Sequence, residues 1–324
     1  MKPFKSFLDG DLEAFMAYRK GLGYCNDDIR SRLLIFDRYV MQHPDPSSVW
    51  NPHFYMNFRA EIGLEPSTVN TLLYAVRCFF EYLRRKQSHL ENPLKDVPGL
   101  PQRAFIPFVF SPEQTEQLLD AVCHRIRHEQ RAFLKDLSEY LAILLLARCG
   151  LRINEPLRLK LEDYRSDEKT IYIEKTKFKK DRLIPIPQSV AQQIDNYLSS
   201  RAALIEHDIN PYLFIGGRQS RLGDPRIRFI FHDAVRQIGI NCPREVIGDT
   251  TFGKPTPHSL RHSFAINTLK SALARNQSPQ NVLPVLAAYM GHVEYRHTMK
   301  YLRVTDAESR TRLLNFAGTR RDES

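Results

Sequence analysis

Apolar residues recur through the first ninety positions at intervals of three and four, the period of one helix face. Ile29, Leu33, Phe36 and Val40 are spaced four, three and four apart, and Asn26 stands where a cap would open that helix. Ahead of them, "DLEAFMAYRKGLGY" reads as a helix closed by Gly21 and Gly23. Pro44 and Pro46 end the second helix, and a shorter one is predicted over 52–62. A fourth places Val69, Leu72, Leu73, Val76, Phe80 and Leu83 on one stripe and ends in Arg84, Arg85 and Lys86. Four helices with polar outer faces therefore make a first unit over 1–90.

The pattern then changes. Residues 91–110 hold Pro93, Pro98, Pro101 and Pro107, a density that forbids a continuous helix and favours an extended connector. At Ser111 a helix start is legible, with Ser111 as cap, Pro112 at the first helical position and Gln114 completing a capping box. "SEYLAILLLARCGLR" is apolar on nearly every side and is predicted to run through the middle of a second domain. "TIYIEKTKFKKDRLIPIP" reads as two strands joined by a basic turn, with Ile171 and Ile173 alternating and Pro185 closing the second. From Ser189 to Phe316 the expectation is mostly helix, and residues 317–324 form a polar tail. The fold class is thus mainly α with a small β-sheet, in two domains, with no internal repeat.

Composition narrows the partners. The chain of 324 residues carries a formal charge of +10, which favours a polyanion. Residues 1–110 hold 14 basic and 12 acidic side chains, and residues 111–324 hold 33 and 25, so the excess lies mainly in the second part. No stretch approaches the roughly 18 uncharged apolar residues of a membrane span, and "MKPFKSFLDGDLEAF" lacks a secretory core. The expected location is cytoplasmic, nucleoid-associated if DNA is the partner. Five scattered cysteines, none paired as Cys-x-x-Cys, suggest neither a disulfide framework nor a zinc ribbon.

Four short stretches could carry chemistry. In "ARCGLRINEPLRL", Arg152 and Glu155 are three apart, so on a helix the carboxylate can orient the guanidinium; a surface ion pair of little value is the plainer reading. "EKTKFKKDR" sets Lys175, Lys177, Lys179, Lys180 and Arg182 on one turn. They are either a solvated charge run or a row that neutralises DNA phosphates, and one lysine could donate a proton. In "TPHSLRHSF", His258 and His262 have the spacing of two helical metal ligands, but Ser259 replaces the glutamate a zinc protease needs. His262 could equally be a core histidine. His258 and Arg261, placed after Pro257 at a helix start, could grip a phosphodiester. Last, "YMGHVEYRHTMKYLRV" has His292 after a helix-breaking Gly291, with Tyr289, Tyr295 and Tyr301 competing as the reactive tyrosine.

In this order and spacing the four stretches resemble the tyrosine recombinase, or phage integrase, family. The likeness spans about residues 111–316: an Arg in Gly-Leu-Arg-x-x-Glu, a hairpin Lys, His-x-x-Arg, Gly-His, and a Tyr nine residues on. The resemblance implies a core-binding domain over 1–90, a proline-rich linker over 91–110 and an α+β catalytic domain over 111–316. It assigns Arg152, Lys177, His258, Arg261, His292 and Tyr301 as catalytic, with Glu155 supporting; Lys175, Lys179, Lys180 and Arg182 are candidate DNA contacts by their charge on the turn. It implies double-stranded DNA as partner, a homo-tetramer on two sites that could include related recombinases, and no metal or cofactor. An arm-site domain is expected to be missing. "REVIGDTTFGK" and "ARNQSPQN" read as insertions relative to the simplest members. Leu313, Leu314 and Phe316 would dock on a neighbouring subunit or pack on their own domain. The rivals are a DNA-binding protein without catalysis, a type IB topoisomerase, and a zinc hydrolase using His258 and His262.

Overall fold

The computed structural model describes residues 2–87, 90–174, 181–217 and 220–291. The chain forms two compact units, Met1–Arg103 and Ala104–Ser324. In the first, helices α1 (Asp9–Gly21), α2 (Asp27–Gln42), α3 (Pro52–Glu61) and α4 (Pro66–Lys86) follow the apolar stripes. Leu33, Phe36, Val40, Phe58, Val69, Leu72 and Val76 are all fully buried there. Phe36 sits edge-on to Phe58 and Phe80, a favoured arrangement of aromatic quadrupoles. Asn26 does occupy the cap position of α2, but its side-chain amide donates instead to the Met16 carbonyl.

Part of the proline-dense stretch is packed against this unit. Leu94 and Val97 belong to its core, and the Arg77 guanidinium donates to both of their carbonyl oxygens. Asn70 receives the Leu100 amide and returns a bond to the Leu100 carbonyl. These side chains satisfy backbone groups that proline-rich chain cannot pair with itself.

The second unit is built on α6 (Gln130–Cys149), whose residues Leu141–Leu146 are buried without interruption. It packs against α7 (Gln188–Leu204) and α9 (Pro257–Ala274), while α5 (Pro112–Cys123) lies on α8 (Asp224–Gln237). α5 starts with the expected capping box at Ser111 and Gln114. α10 (Pro279–Met290) closes on α9 through Ile266, Leu269, Leu283 and Leu286. Strands β2 (Tyr164–Arg165), β3 (Thr170–Ile173) and β4 (Arg182–Pro185) form one antiparallel sheet with Ile171 opposite Ile184.

A second sheet departs from the helical expectation for this region. β5 (Glu245–Ile247) and β6 (Thr250–Phe252) make a hairpin within "REVIGDTTFGK", and β6 pairs in parallel with β1 (Ala104–Ile106). The turn at Gly248, with φ +55°, permits it. "ARNQSPQN" spans the end of α9 and the start of α10.

Candidate active site

The site begins where α6 stops. Gly150 takes φ +58° and ends the helix in the left-handed conformation. A Cβ there would lie 2.4 Å from the Phe264 ring of α9, so glycine is required twice over. The turn after it, rather than a helix, sets Arg152 and Glu155 together. The Glu155 carboxylate accepts from the Arg152 backbone N–H at 2.8 Å and from Arg152 Nη1 at 2.9 Å. The pair is far from a loose surface contact, because the Glu155 side chain is 9% exposed. Burial works to raise its pKa, but hydrogen bonds from Arg182 and Arg152 and the charges of Arg182 and Arg261 outweigh it and hold the carboxyl below its ordinary value.

Arg261 approaches from α9, whose start is fixed by Pro257 and by a capping box between Thr256 and Ser259. The side chain is 1% exposed, a buried charge held by backbone oxygens. Its Nη1 donates to the Gly150 carbonyl and its Nη2 to the Met290 carbonyl, both at 2.6 Å. One guanidinium thus ties the end of α6 to the end of α10.

The C-terminus of α10 is where the site converges. Gly291 ends this helix at φ +65°. Three consecutive carbonyls at that end are taken by three arginines: Tyr289 by Arg182 Nε at 2.9 Å, Met290 by Arg261, and Gly291 by Arg152 Nη2 at 3.1 Å. The last carbonyls of a helix lack intrahelical partners and carry partial negative charge, so cations there are favourable. Arg152 and Arg261, 109 positions apart in the chain, therefore meet at adjacent peptide groups directly ahead of His292.

His258 stands on the first turn of α9, with its ring edge-to-face on His262 at 4.5 Å between centroids. Desolvation, then the charges of Arg261, Arg152 and Arg228, push its pKa down to about 4. The imidazole is consequently neutral at pH 7 and able to accept a proton or hydrogen bond. His262 is half-buried and has partners of its own. No group of three or more His, Cys, Asp or Glu able to hold a metal occurs among the described residues.

Arg182 requires a correction. Its place among the cations of the basic turn made it a candidate DNA contact, but it is the first residue of β4, with its side chain 9% exposed. It forms a two-pronged bond to Glu155, Nη1 to Oε1 at 3.0 Å and Nη2 to Oε2 at 2.8 Å. Charge counting could not separate it from its neighbours, because the pairing partner lies 27 positions upstream. Of the three tyrosines, Tyr289 is committed elsewhere. Its hydroxyl donates to the Pro185 carbonyl at 3.1 Å, its ring stacks on Phe264, and burial beside the Cys149 thiol raises its pKa strongly. Lys175, Lys177, Lys179, Lys180, Tyr295, His292 and Tyr301 lie outside the described residues, as do Leu313, Leu314 and Phe316. Arg228, whose charge bears on His258 and which pairs with Asp224, was not singled out in the sequence. It belongs to α8, thirty positions away, with no motif around it.

A groove of about 510 Å³ continues from Arg152 past Asn154, Arg158, Lys160, Tyr212 and Arg221. Its lining mixes Arg152, Arg158, Lys160 and Arg221 with the carboxylates of Glu155, Asp163 and Glu174.

Residues 109–308 match the model of the phage integrase family. Over 293 residues the chain is 30% identical to y4rB of Sinorhizobium fredii, which carries an integrase/recombinase name, covering 90% of this chain and 91% of that one. It is 27% identical to the tyrosine recombinase XerA of Pyrococcus furiosus, covering 91% and 89%. Among solved structures, the fold matches a lambda integrase dimer bound to a core site, with a TM-score of 0.63, 14% identity and coverage of 89% and 96%. It also matches the XerH recombinase bound to its difH substrate, at 0.60, 19%, 86% and 77%. The chain belongs to the phage integrase family. It is a tyrosine recombinase, an enzyme of DNA strand transfer.

Proposed function

We propose that this recombinase cuts and rejoins DNA at specific sites through a covalent link between Tyr301 and a 3′-phosphate. The Tyr301 oxygen attacks the phosphorus, the bond from phosphorus to the 5′-oxygen breaks, and the 5′-hydroxyl leaves. The tyrosine proton goes to neutral His258, because a phenol with a pKa near 10 is a poor nucleophile at neutral pH. Arg152 and Arg261 stabilise the charge that grows on the non-bridging oxygens, His292 donates a hydrogen bond to the same phosphate, and Lys177 protonates the departing 5′-oxygen. Attack by a 5′-hydroxyl from a second strand reverses the step. The ester conserves the bond energy, so neither nucleotide nor metal is consumed. Lys175, Lys179 and Lys180 contact the flanking backbone.

The observation that carries this reading is the meeting of Arg152 and Arg261 on the adjacent carbonyls of Met290 and Gly291. Both guanidiniums are thus held on the two residues that immediately precede His292 in the sequence, which supports their acting on one phosphate. The protein works as a homo-tetramer across two double-stranded DNA sites, alone or with related recombinases, on the nucleoid. It integrates or excises a mobile element, a reading supported by the integrase/recombinase name of the Sinorhizobium fredii relative.

The test is to incubate the protein with nicked DNA carrying its site, in EDTA. A covalent adduct is expected with the wild-type protein and none with Tyr301→Phe, while both bind the DNA. Binding with no adduct from the wild type would leave a DNA-binding protein without catalysis. Relaxation of supercoils with no exchange between two sites would indicate a type IB topoisomerase instead.

A further inference from the structure

We propose that Arg182 is a positioning residue for the strand-transfer reaction, acting through Glu155 and the end of α10 rather than touching DNA. This rests on the reading of Arg152 as a phosphate ligand given above. Arg182 and Arg152 share the one carboxylate of Glu155, each bonded to Oε1 at about the same distance, 3.0 and 2.9 Å. Arg182 also holds the Tyr289 carbonyl, two residues before the Gly291 carbonyl that Arg152 holds. The result is a closed set of contacts, from Arg182 to Glu155 to Arg152 to the turn at Gly291 and back to Arg182. A Cβ on Gly291 would lie 2.9 Å from Arg182 Nη1, so the turn is packed directly against this guanidinium.

Three consequences follow from that arrangement. Only a planar fork can satisfy both oxygens of Glu155 and the Tyr289 carbonyl together; an ammonium supplies the charge without the geometry. Arg182 opens β4, the strand that follows the lysine-rich stretch 175–180 in the sequence, so the same side chain anchors that strand to Glu155 and to the end of α10. And all three guanidinium nitrogens of Arg182 are engaged, Nε on the Tyr289 carbonyl and both Nη atoms on the Glu155 carboxylate. Its loss should therefore leave DNA affinity intact and slow the chemistry, since small misplacements of reacting groups cost on the order of 100-fold in rate.

The experiment compares wild type, Arg182→Lys and Glu155→Gln at saturating protein on nicked site DNA, below the melting temperature of each variant. We expect single-turnover adduct formation to fall about 100-fold for Arg182→Lys, with DNA affinity and its salt dependence unchanged. A drop in affinity and salt slope together would make Arg182 a phosphate contact and overturn the proposal. A wild-type rate in a destabilised variant would reduce it to a fold-stabilising residue and overturn it equally. Should Arg182→Lys not fold, Glu155→Gln decides, since it leaves one acceptor oxygen for two guanidiniums: an unchanged rate refutes the proposal. NMR of side-chain guanidinium rotation supplies a readout independent of turnover. Arg152 rotation should be slow in the wild type and fast in either variant, and if it is equally fast in all three the coupling does not exist. Absence of adduct from the wild type itself would defeat the recombination reading, leaving that rotation measurement to judge the positioning.

Discussion

At His258 a single side chain shows how the site is tuned. An isolated imidazole has a pKa near 6.5, so about a quarter of it is protonated at pH 7. Here partial desolvation and three neighbouring guanidiniums push the value down to about 4. A depressed histidine pKa means the unfolded chain binds the proton more readily than the folded one. The contribution of His258 to stability is therefore complete above pH 6.5 and is lost as the pH falls towards 4. In the free enzyme a proton acceptor of this kind stays available throughout the neutral range, and the negative phosphate of bound DNA then raises its basicity. NMR titration of the DNA-free protein should place the His258 midpoint below 6, and the acid limb of kcat/KM should fall below pH 6 as well. A midpoint at or above 6.5 would contradict this account. The motif and the helix start at Pro257 were legible in the sequence, whereas the depressed pKa comes first from desolvation, then from Arg261 in the same motif and from Arg152 and Arg228, both distant in the chain.

Helix ends, more than helix bodies, assemble this active site. α6 and α10 each finish in a left-handed glycine, and each glycine abuts a side chain from elsewhere, Phe264 at Gly150 and Arg182 at Gly291. Alanine at Gly150 would meet both an unfavourable backbone conformation, costing about 1–2 kcal/mol, and overpacking against Phe264, costing about 1–3 kcal/mol. Gly150→Ala should lower the melting temperature by roughly 4–20 °C, using about 2–4 °C per kcal/mol for a domain of this size. Gly21→Ala, at the end of α1 with nothing within 4 Å, serves as the control and should change it by less than about 2 °C. Calorimetry of the two variants checks the contrast, and equal melting temperatures would remove the proposed packing role. Stop signals at Gly150 and Gly291 could be read from glycine after an apolar run, but not the ring and guanidinium they face. No local pattern encodes the hairpin of β5 and β6, because its strands are three residues long and β6 pairs with β1, some 146 positions earlier.

Across the whole molecule, two units with separate cores carry unequal charge. Of the net +10, residues 111–324 supply +8, and that part holds the arginine clasp and the groove past Arg158 and Arg221. If the groove and the basic turn together cover six or more phosphates, affinity for DNA should fall about 1,000-fold or more between 50 and 200 mM salt, through counterion release. Tyr301→Phe should show the same slope as the wild type, because the phenol contributes no charge. Fluorescence anisotropy with labelled site DNA measures both, and an affinity indifferent to salt would argue against backbone contacts as its source. Among the described residues no helix is long and apolar enough to cross a membrane.

The sequence by itself determined the helical stripes, the capping box at Ser111, the basic excess and the order of the family's motifs, all of which are local periodicity or residue identity. Tertiary structure alone decided that Arg182 belongs with Glu155 and that Tyr289 bonds Pro185. It also decided that three arginines from β4, α9 and the turn after α6 share one helix end. The physical reason is that a buried charge takes its meaning from whichever partner burial brings within 3 Å, and that partner lies tens to hundreds of residues away.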